Sequence, residues 1–375
     1  MTTSIDAMFA ERFRRVRSAM AETQTEVLLL SVGADLPWLS GYYAMPLERL
    51  TMLAVPVDGT PTMFVPRLEV PRVVERPDLF RIVGWDESDD PVRLVAEAVG
   101  GAKKVAIGDQ TWSRFLVDLM AELPQASWSR ASSVMSPLRA VKDEAEIAGL
   151  RLAAEAVDRI AAELQSGDIP LIGRTEADVS AELVRRIVAE GHSQANFAIV
   201  AAGENAASPH HTPGNRVIGP DEVVLCDFGG TFPTDSGLGY CSDITRCVYT
   251  GEVDPNFAQM YEVLQHAQAE AVVAATVGTP AENVDGVARD LIDQGGYEGL
   301  FIHRIGHGIG VEAHEDPYLV AGNATPLVAG NAFSIEPGIY VPNEFGARIE
   351  DIVVATSSGP MALNVANHDL VVVEA

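Results

Sequence analysis

The chain has 375 residues, more than one hydrophobic core usually holds, so two domains are expected and a large interior is easily buried. Hydrophobic residues at 47%, with 32 glycines and 22 prolines, describe a fully folding globular chain and set aside the disordered and low-complexity classes. A net charge of −27 repels phosphate, so neither nucleic acid nor an anionic membrane is expected as a partner.

The N-terminal stretch MTTSIDAMFAERF places acids at Asp6 and Glu11 and leads into no long apolar run, so no signal peptide is expected. From Ile5 to Glu22, Phe9, Phe13, Val16 and Met20 recur at helical spacing, and residues 26–32 (EVLLLSV) form a compact apolar run suited to a buried strand. Residues 51–57 and 61–65 flank Asp58-Gly59 and predict a hairpin. Two helices, over 91–99 and 113–123, are expected on either side of a strand at 103–107. These elements describe a small α/β domain. Ser136-Pro137-Leu138 interrupts the pattern, and a long helix follows from about Val141 to Leu164, so the expected domains are 1–136 and 137–375.

In the second half, helices are expected over 175–189, 255–274 and 280–294. Strands are expected over 197–202, 223–228, 242–249, 332–341 and 347–354. The strand pairs 223–249 and 332–354 are hairpin-like, so the sheet should be largely antiparallel and the domain α+β. No apolar run is long enough to span a bilayer. Three cysteines, Cys226, Cys241 and Cys247, lack CxxC spacing and are read as small buried hydrophobes, consistent with a reducing, cytoplasmic setting.

Charge and imidazole are unevenly spread. Residues 1–136 carry a net −4 and residues 137–375 a net −23, and all eight histidines lie at His192 or beyond. Acid-base and metal chemistry therefore belongs to the second half. There, Asp227 follows VVLC, Asp243 precedes ITRCV, Glu336 follows AFSI and Glu350 precedes DIVV, so each acid is expected within a strand. A carboxylate framed by apolar residues is costly unless paired or metal-bound. Four of them within about 4 Å would repel by about 4 kcal/mol per close pair at an effective dielectric of 20. A pair of divalent cations removes that objection. His307, between Gly306 and Gly308, is the imidazole best placed to join them. Oxygen-rich coordination with one imidazole favours manganese, iron or cobalt over a structural zinc, and two divalent ions, manganese with cobalt, iron or zinc as other occupants, are expected. His211, His192, His266, His303 and His368 are read as ordinary core or surface histidines.

The motifs CDFGG, CSDITR, GHGIGVEAHE, SIEPGIY and ARIED together resemble the creatinase/aminopeptidase family of metallopeptidases with the pita-bread fold. The resemblance spans about residues 137–375. It extends to Pro37-Trp38-Leu39-Ser40-Gly41-Tyr42 and Glu48-Arg49-Leu50, which resemble the N-terminal domain of the proline-specific branch. By motif, it implies that Asp227 binds one ion, that Asp243 and Glu350 bridge two, and that His307 and Glu336 complete the second. Glu336 is also implied to shuttle a proton, and His210 and His314 to hold the scissile carbonyl. Arg348 and Tyr340 match supporting positions. Asp235, in the long loop after Asp227, is passed over for Asp243 because SDITR fits the motif.

The activity so implied is hydrolysis of the Xaa-Pro bond in a small peptide with proline second, most simply as an Xaa-Pro dipeptidase (prolidase). An Xaa-Pro aminopeptidase acting on longer peptides is the nearest alternative, and a non-peptidase or a catalytically inactive binding protein on the same fold is the alternative of another class. The segment from Pro37 to Tyr42 resembles one that reaches a neighbouring subunit, so a homodimer is expected.

Overall fold

A computed structural model describes residues 5–373, which form two compact units, one of residues 5–139 with Asp235–Leu238 and one of Ala140–Thr234 with residues 239–373.

The first unit runs α1 (Ile5–Glu22), β1 (Val27–Leu30), α2 (Asp35–Ser40), β2 (Met52–Pro56), β3 (Thr62–Pro66), β4 (Arg81–Trp85), α3 (Pro91–Ala98), β5 (Lys104–Ile107), α4 (Ser113–Glu122), β6 (Ser127–Arg130) and α5 (Ser132–Ala140). Its six strands lie in the order β4-β3-β2-β1-β5-β6. The hairpin β2–β3 and the pair β1–β2 are antiparallel, and the remaining pairs are parallel. The helical stripe of α1 (Phe9, Phe13, Val16, Met20) is buried, as its spacing requires. The segment from Pro37 lies in α2, where Trp38 is buried under the guanidinium of Arg12, 4.6 Å from the ring centroid. Ser136-Pro137 does not end a helix. It sits inside α5, where Pro137 forgoes one backbone bond without stopping so short a helix.

The second unit continues with α6 (Glu144–Ser166), α7 (Glu176–Ala189), β7 (Gln194–Ala202), β8 (Glu222–Pro233), β9 (Gly239–Cys241), β10 (Ile244–Thr250), α8 (Pro255–Ala274), α9 (Ala281–Ile292), β11 (Gly306–Gly308), β12 (Glu315–Leu319), β13 (Ala332–Ile335), β14 (Gly338–Val341), β15 (Phe345–Arg348), β16 (Asp351–Thr356), β17 (Gly359–Ala362) and β18 (Val371–Val373). The expected helix at Val141 begins at Glu144 instead, because Asp143 and Glu146 form a reciprocal capping box there. Thr175 and Asp178 do the same for α7.

One sheet has the order β18-β10-β8-β7 with β9 folded back on β8, and a second has the order β12-β11-β13-β16-β17. Only the pairing of β10 with β18 is parallel. The long stretch between Asp227 and Asp243 is thus the hairpin β8–β9. Alternation along β8 divides its side chains. Val224, Cys226 and Phe228 enter the core under α6 and α7, whereas Val223 and Leu225 enter the core shared with α8, α9, β13 and β16. Asp227 has the parity of the second group, and so faces the space between the sheets.

Two expected strands are each broken in two. Residues 332–341 divide into β13 and β14, and residues 347–354 into β15 and β16. The breaks fall at Glu336-Pro337 and at Ile349-Glu350. Pro337 has no N–H to continue a ladder, and Glu350 turns aside into an isolated bridge with Thr245. Asp243 lies just ahead of β10. Of the four acids, only Asp227 is therefore within a strand.

Candidate metal centre

The β8–β10 register sets Asp227 opposite Thr245, and Asp243 comes two residues before Thr245 on the same face. The bridge from Thr245 to Glu350, with Glu350 N donating to Thr245 O at 3.3 Å, ties this edge to the second sheet. His307 arrives from β11. A Cβ at Gly306 would lie 1.9 Å from Ser334 O and one at Gly308 2.2 Å from Asp316 O, so only glycine lets the flanking strands approach this closely.

Asp243, His307 and Glu350 present ligand atoms within 4.8 Å of one another, all buried. His307 Nε2 lies 3.2 Å from Glu336 Oε1 and 3.9 Å from Asp243 Oδ2. His307 Nδ1 sits 3.1 Å from Gly308 O; donating its hydrogen there leaves the Nε2 lone pair aimed at the carboxylates. Ser334 Oγ accepts from His307 N and donates to Glu336 Oε1, both at 3.0 Å, which orients ring and carboxylate together.

Asp227 is reached from the other side. Arg348 Nη2 donates to its Oδ2 at 2.5 Å, Arg348 Nε donates to Thr245 Oγ1 at 3.1 Å, and Thr245 Oγ1 donates to Glu350 Oε2 at 2.7 Å. Arg348 Nη1 meets Tyr340 Oη at 2.8 Å, and Tyr340 Oη lies 2.9 Å from His303 Nε2. Because His303 Nδ1 faces Arg304 O at 2.8 Å, the ring donates there and accepts from the tyrosine. His303 is thus part of the site and not the ordinary histidine expected. Neither its spacing nor its neighbours gave a signal, since its partner lies 37 residues away.

The electrostatics are those of a site short of positive charge. Burial raises the carboxyl of Asp227, the Arg348 guanidinium opposing. Burial and then the neighbouring carboxylates raise Asp243 and Glu350 well above the usual range. For Glu336 burial is outweighed by the hydrogen bond and charge interaction with the His307 ring, then by His303 and the Arg348 guanidinium, which bring it down to about 2. Four carboxylates thus share one guanidinium, and Asp227 Oδ1 is buried with no hydrogen-bond partner among the described residues. Anionic oxygens, one directed imidazole lone pair and an orphaned buried acceptor are the donor set that hard or borderline divalent cations take.

His314 and His210 flank this cluster. The His314 ring centroid is 4.0 Å from that of His307; although its surface is exposed, the surrounding protein and then the His307 ring lower it to about 4, so it is neutral at pH 7. The residue after it, Glu315, makes a buried ion pair with Lys142 at 2.7 Å, which fixes the end of the loop that carries His314. His210 is exposed on the turn after residues 203–207, within electrostatic reach of both His303 and His314. Asp235 is exposed in the β8–β9 turn. All three cysteines are buried, and burial pushes Cys241 up to about 12 and Cys247 up to about 11.

Comparison with known proteins agrees with this architecture. The profile of metallopeptidase family M24 matches residues 148–357, and that of the Creatinase/Prolidase N-terminal domain matches residues 12–141. The chain is 42% identical over 373 residues to "Probable dipeptidase PepE" of Mycobacterium tuberculosis (strain ATCC 25618 / H37Rv), covering 98% of this chain and 97% of that one. Among solved structures, dipeptidase PepE from Mycobacterium ulcerans superposes with a TM-score of 0.92 at 41% identity, covering 99% of both chains. Recombinant prolidase from Thermococcus sibiricus superposes with a TM-score of 0.91 at 33% identity, covering 97% of this chain and 99% of that one.

Proposed function

This chain belongs to metallopeptidase family M24, and from that premise we propose that it hydrolyses the peptide bond preceding proline, as an Xaa-Pro dipeptidase. The observation that carries the reading is the buried cluster of Asp243, His307 and Glu350, with Glu336 against His307 and Asp227 paired to Arg348 beside it. That complete ligand set speaks against an inactive binding protein. The likeness to a prolidase supports the proline preference.

Asp227 would hold one ion, Asp243 and Glu350 would bridge two, and His307 with Glu336 would complete the second, with manganese the occupant that this donor set favours. Such ions supply Lewis acidity and lower the pKa of water from about 15.7 towards about 7. The chain's own residues do the rest. Glu336 is ionised, its Oε1 is engaged by Ser334, and Oε2 is left to take a proton from the attacking water. The prolyl nitrogen carries no hydrogen in the peptide, so it must gain one to leave as a secondary amine, and Glu336 is placed to return it. Neutral His314 donates an N–H to the scissile carbonyl oxygen as negative charge gathers there, and His210 is the second imidazole donor. Arg348 pairs with Asp227 and opposes the effect of burial on it, with Tyr340 and His303 behind it.

A manganese-supplemented assay of purified protein on Xaa-Pro dipeptides and Xaa-Pro-Yaa tripeptides, with an EDTA control, tests this. Proline-dependent cleavage that disappears with the metal is expected; full activity after complete metal removal would sink it. Glu336→Ala should abolish turnover and reduce bound metal. Two further readings come with the proposal. The resemblance of Pro37 to Tyr42 to an intersubunit segment supports a homodimer, which sedimentation at the 40.0 kDa monomer mass would overturn. The three unpaired thiols support a reducing, cytoplasmic setting.

A further inference from the structure

The second unit is strongly acidic, and its cations are almost all spent on carboxylates. Lys142, Arg159, Arg174, Arg185, Arg186, Arg216, Arg246, Arg289 and Arg348 each have one within 4.0 Å. Among the described residues of that unit, Arg151 and Arg304 have no carboxylate partner. Arg151 reaches the sulfur of Met361 from an exposed face of α6 and is distant in sequence from every site motif. Arg304 is half-buried, follows His303 and precedes His307 by three residues.

Its position is defined from both sides. His303 donates Nδ1–H to the Arg304 carbonyl at 2.8 Å, fixing the backbone beside the Tyr340 contact. The guanidinium carbon lies 4.4 Å from the centroid of Tyr318, four residues beyond His314 on β12. Stacking occupies the face of a guanidinium and leaves the N–H donors along its edge unused. The Arg304 charge also reaches the His314 ring. A half-buried cation with a free donor edge, held beside the imidazole that faces the scissile carbonyl, is built to receive an anion.

We infer that Arg304 receives the α-carboxylate of a dipeptide substrate through the free edge of its guanidinium, and so selects Xaa-Pro over longer peptides. In a dipeptide the carboxylate lies one residue, about 3.8 Å of backbone, beyond the scissile bond. Guanidinium and carboxylate match as a two-pronged pair, and elsewhere in this acidic unit the substrate anion is repelled. A tripeptide presents a neutral amide at the same place and forfeits the pair. The inference rests on the peptidase reading above.

The test compares each Xaa-Pro dipeptide with its C-terminal amide, in metal-loaded wild type, Arg304→Gln and Arg304→Lys. Wild type should prefer the free acid by at least about tenfold in kcat/KM, a modest return for one charge-assisted pair. Arg304→Gln should erase that preference through KM, weaken competitive inhibition by L-proline by the same factor and leave amide hydrolysis, metal content and Tm within error. Arg304→Lys should restore part of the preference. An equal loss on acid and amide, or an unchanged ratio, overturns the inference. If other dipeptides are cleaved but Xaa-Pro is not, the proline reading fails, and the acid-to-amide ratio on the cleaved pair decides Arg304 separately. Cleavage of no peptide at all overturns both.

Discussion

Glu176 Oε2 accepts from His211 Nε2 at 2.8 Å, and the same buried carboxylate accepts from Ala202 N and Asn205 Nδ2 at 2.9 Å and from Gly214 N at 3.3 Å. All four donors belong to the segment that carries His210. Glu176 lies at the start of α7, where this donor set holds its carboxyl below the usual range against burial, so it stays an anion and an acceptor.

The clasp should matter to His210 and to little else. Replacing His211 by Leu leaves Glu176 without its imidazole donor and frees the turn, so kcat/KM should fall about tenfold while bound metal is retained. His211→Gln, which keeps a donor, should recover part of it. In a His210→Ala background the His211→Leu loss should vanish, because there is no imidazole left to position. Additive losses in that double mutant would show that His211 acts through the fold at large.

Metal removal should expose the repulsion among the acids. The folded-state carboxyls of Asp243 and Glu350 are raised, so the stability they contribute is full below their unfolded values and is lost as pH rises through the folded ones. EDTA-treated protein should therefore lose Tm as the pH is raised above the ordinary carboxylate range, and restoring the cation should reverse the loss. Asp243→Asn should flatten the metal-free profile while lowering metal content. A metal-free Tm that is level with pH would contradict the shared burial of these acids.

His192 supplies a pH dependence of the opposite sign. Its Nε2 lies 2.8 Å from Ser242 Oγ, and burial lowers its pKa from 6.5 to about 4. The folded value is depressed, so its contribution is present above pH 6.5 and is lost as pH falls towards 4, at most about 3 kcal/mol over that window. Urea titrations of wild type and His192→Gln should show a steeper loss for wild type between those pH values. Parallel curves would remove His192 as the cause.

Local signals were read correctly where local physics decides. The stripe of α1 and the apolar strand at 223–228 each follow from neighbours a few residues apart, whereas the capping box at Asp143, equally local, moves the start of its helix from the expected Val141 to Glu144. The strands at 332–341 and 347–354 were misread as continuous because their apolar pattern runs through Glu336 and Glu350. What breaks them is Pro337, which cannot continue a ladder, and the bridge of Glu350 to Thr245, 105 residues away, which periodicity does not register.

The sequence by itself determined the family and the residue types of the centre, because the motifs around Asp227, Asp243, His307, Glu336 and Glu350 are short, local and specific. Only the tertiary structure decided which other groups attend them. Arg348 lies 121 residues from Asp227, Tyr340 37 from His303 and Glu176 35 from His211. Contacts over such separations are set by how sheets and loops pack, not by composition or period. The same holds for Arg304, an unremarked arginine in the sequence, whose want of an acidic partner becomes visible only once every other cation in the site has found its own.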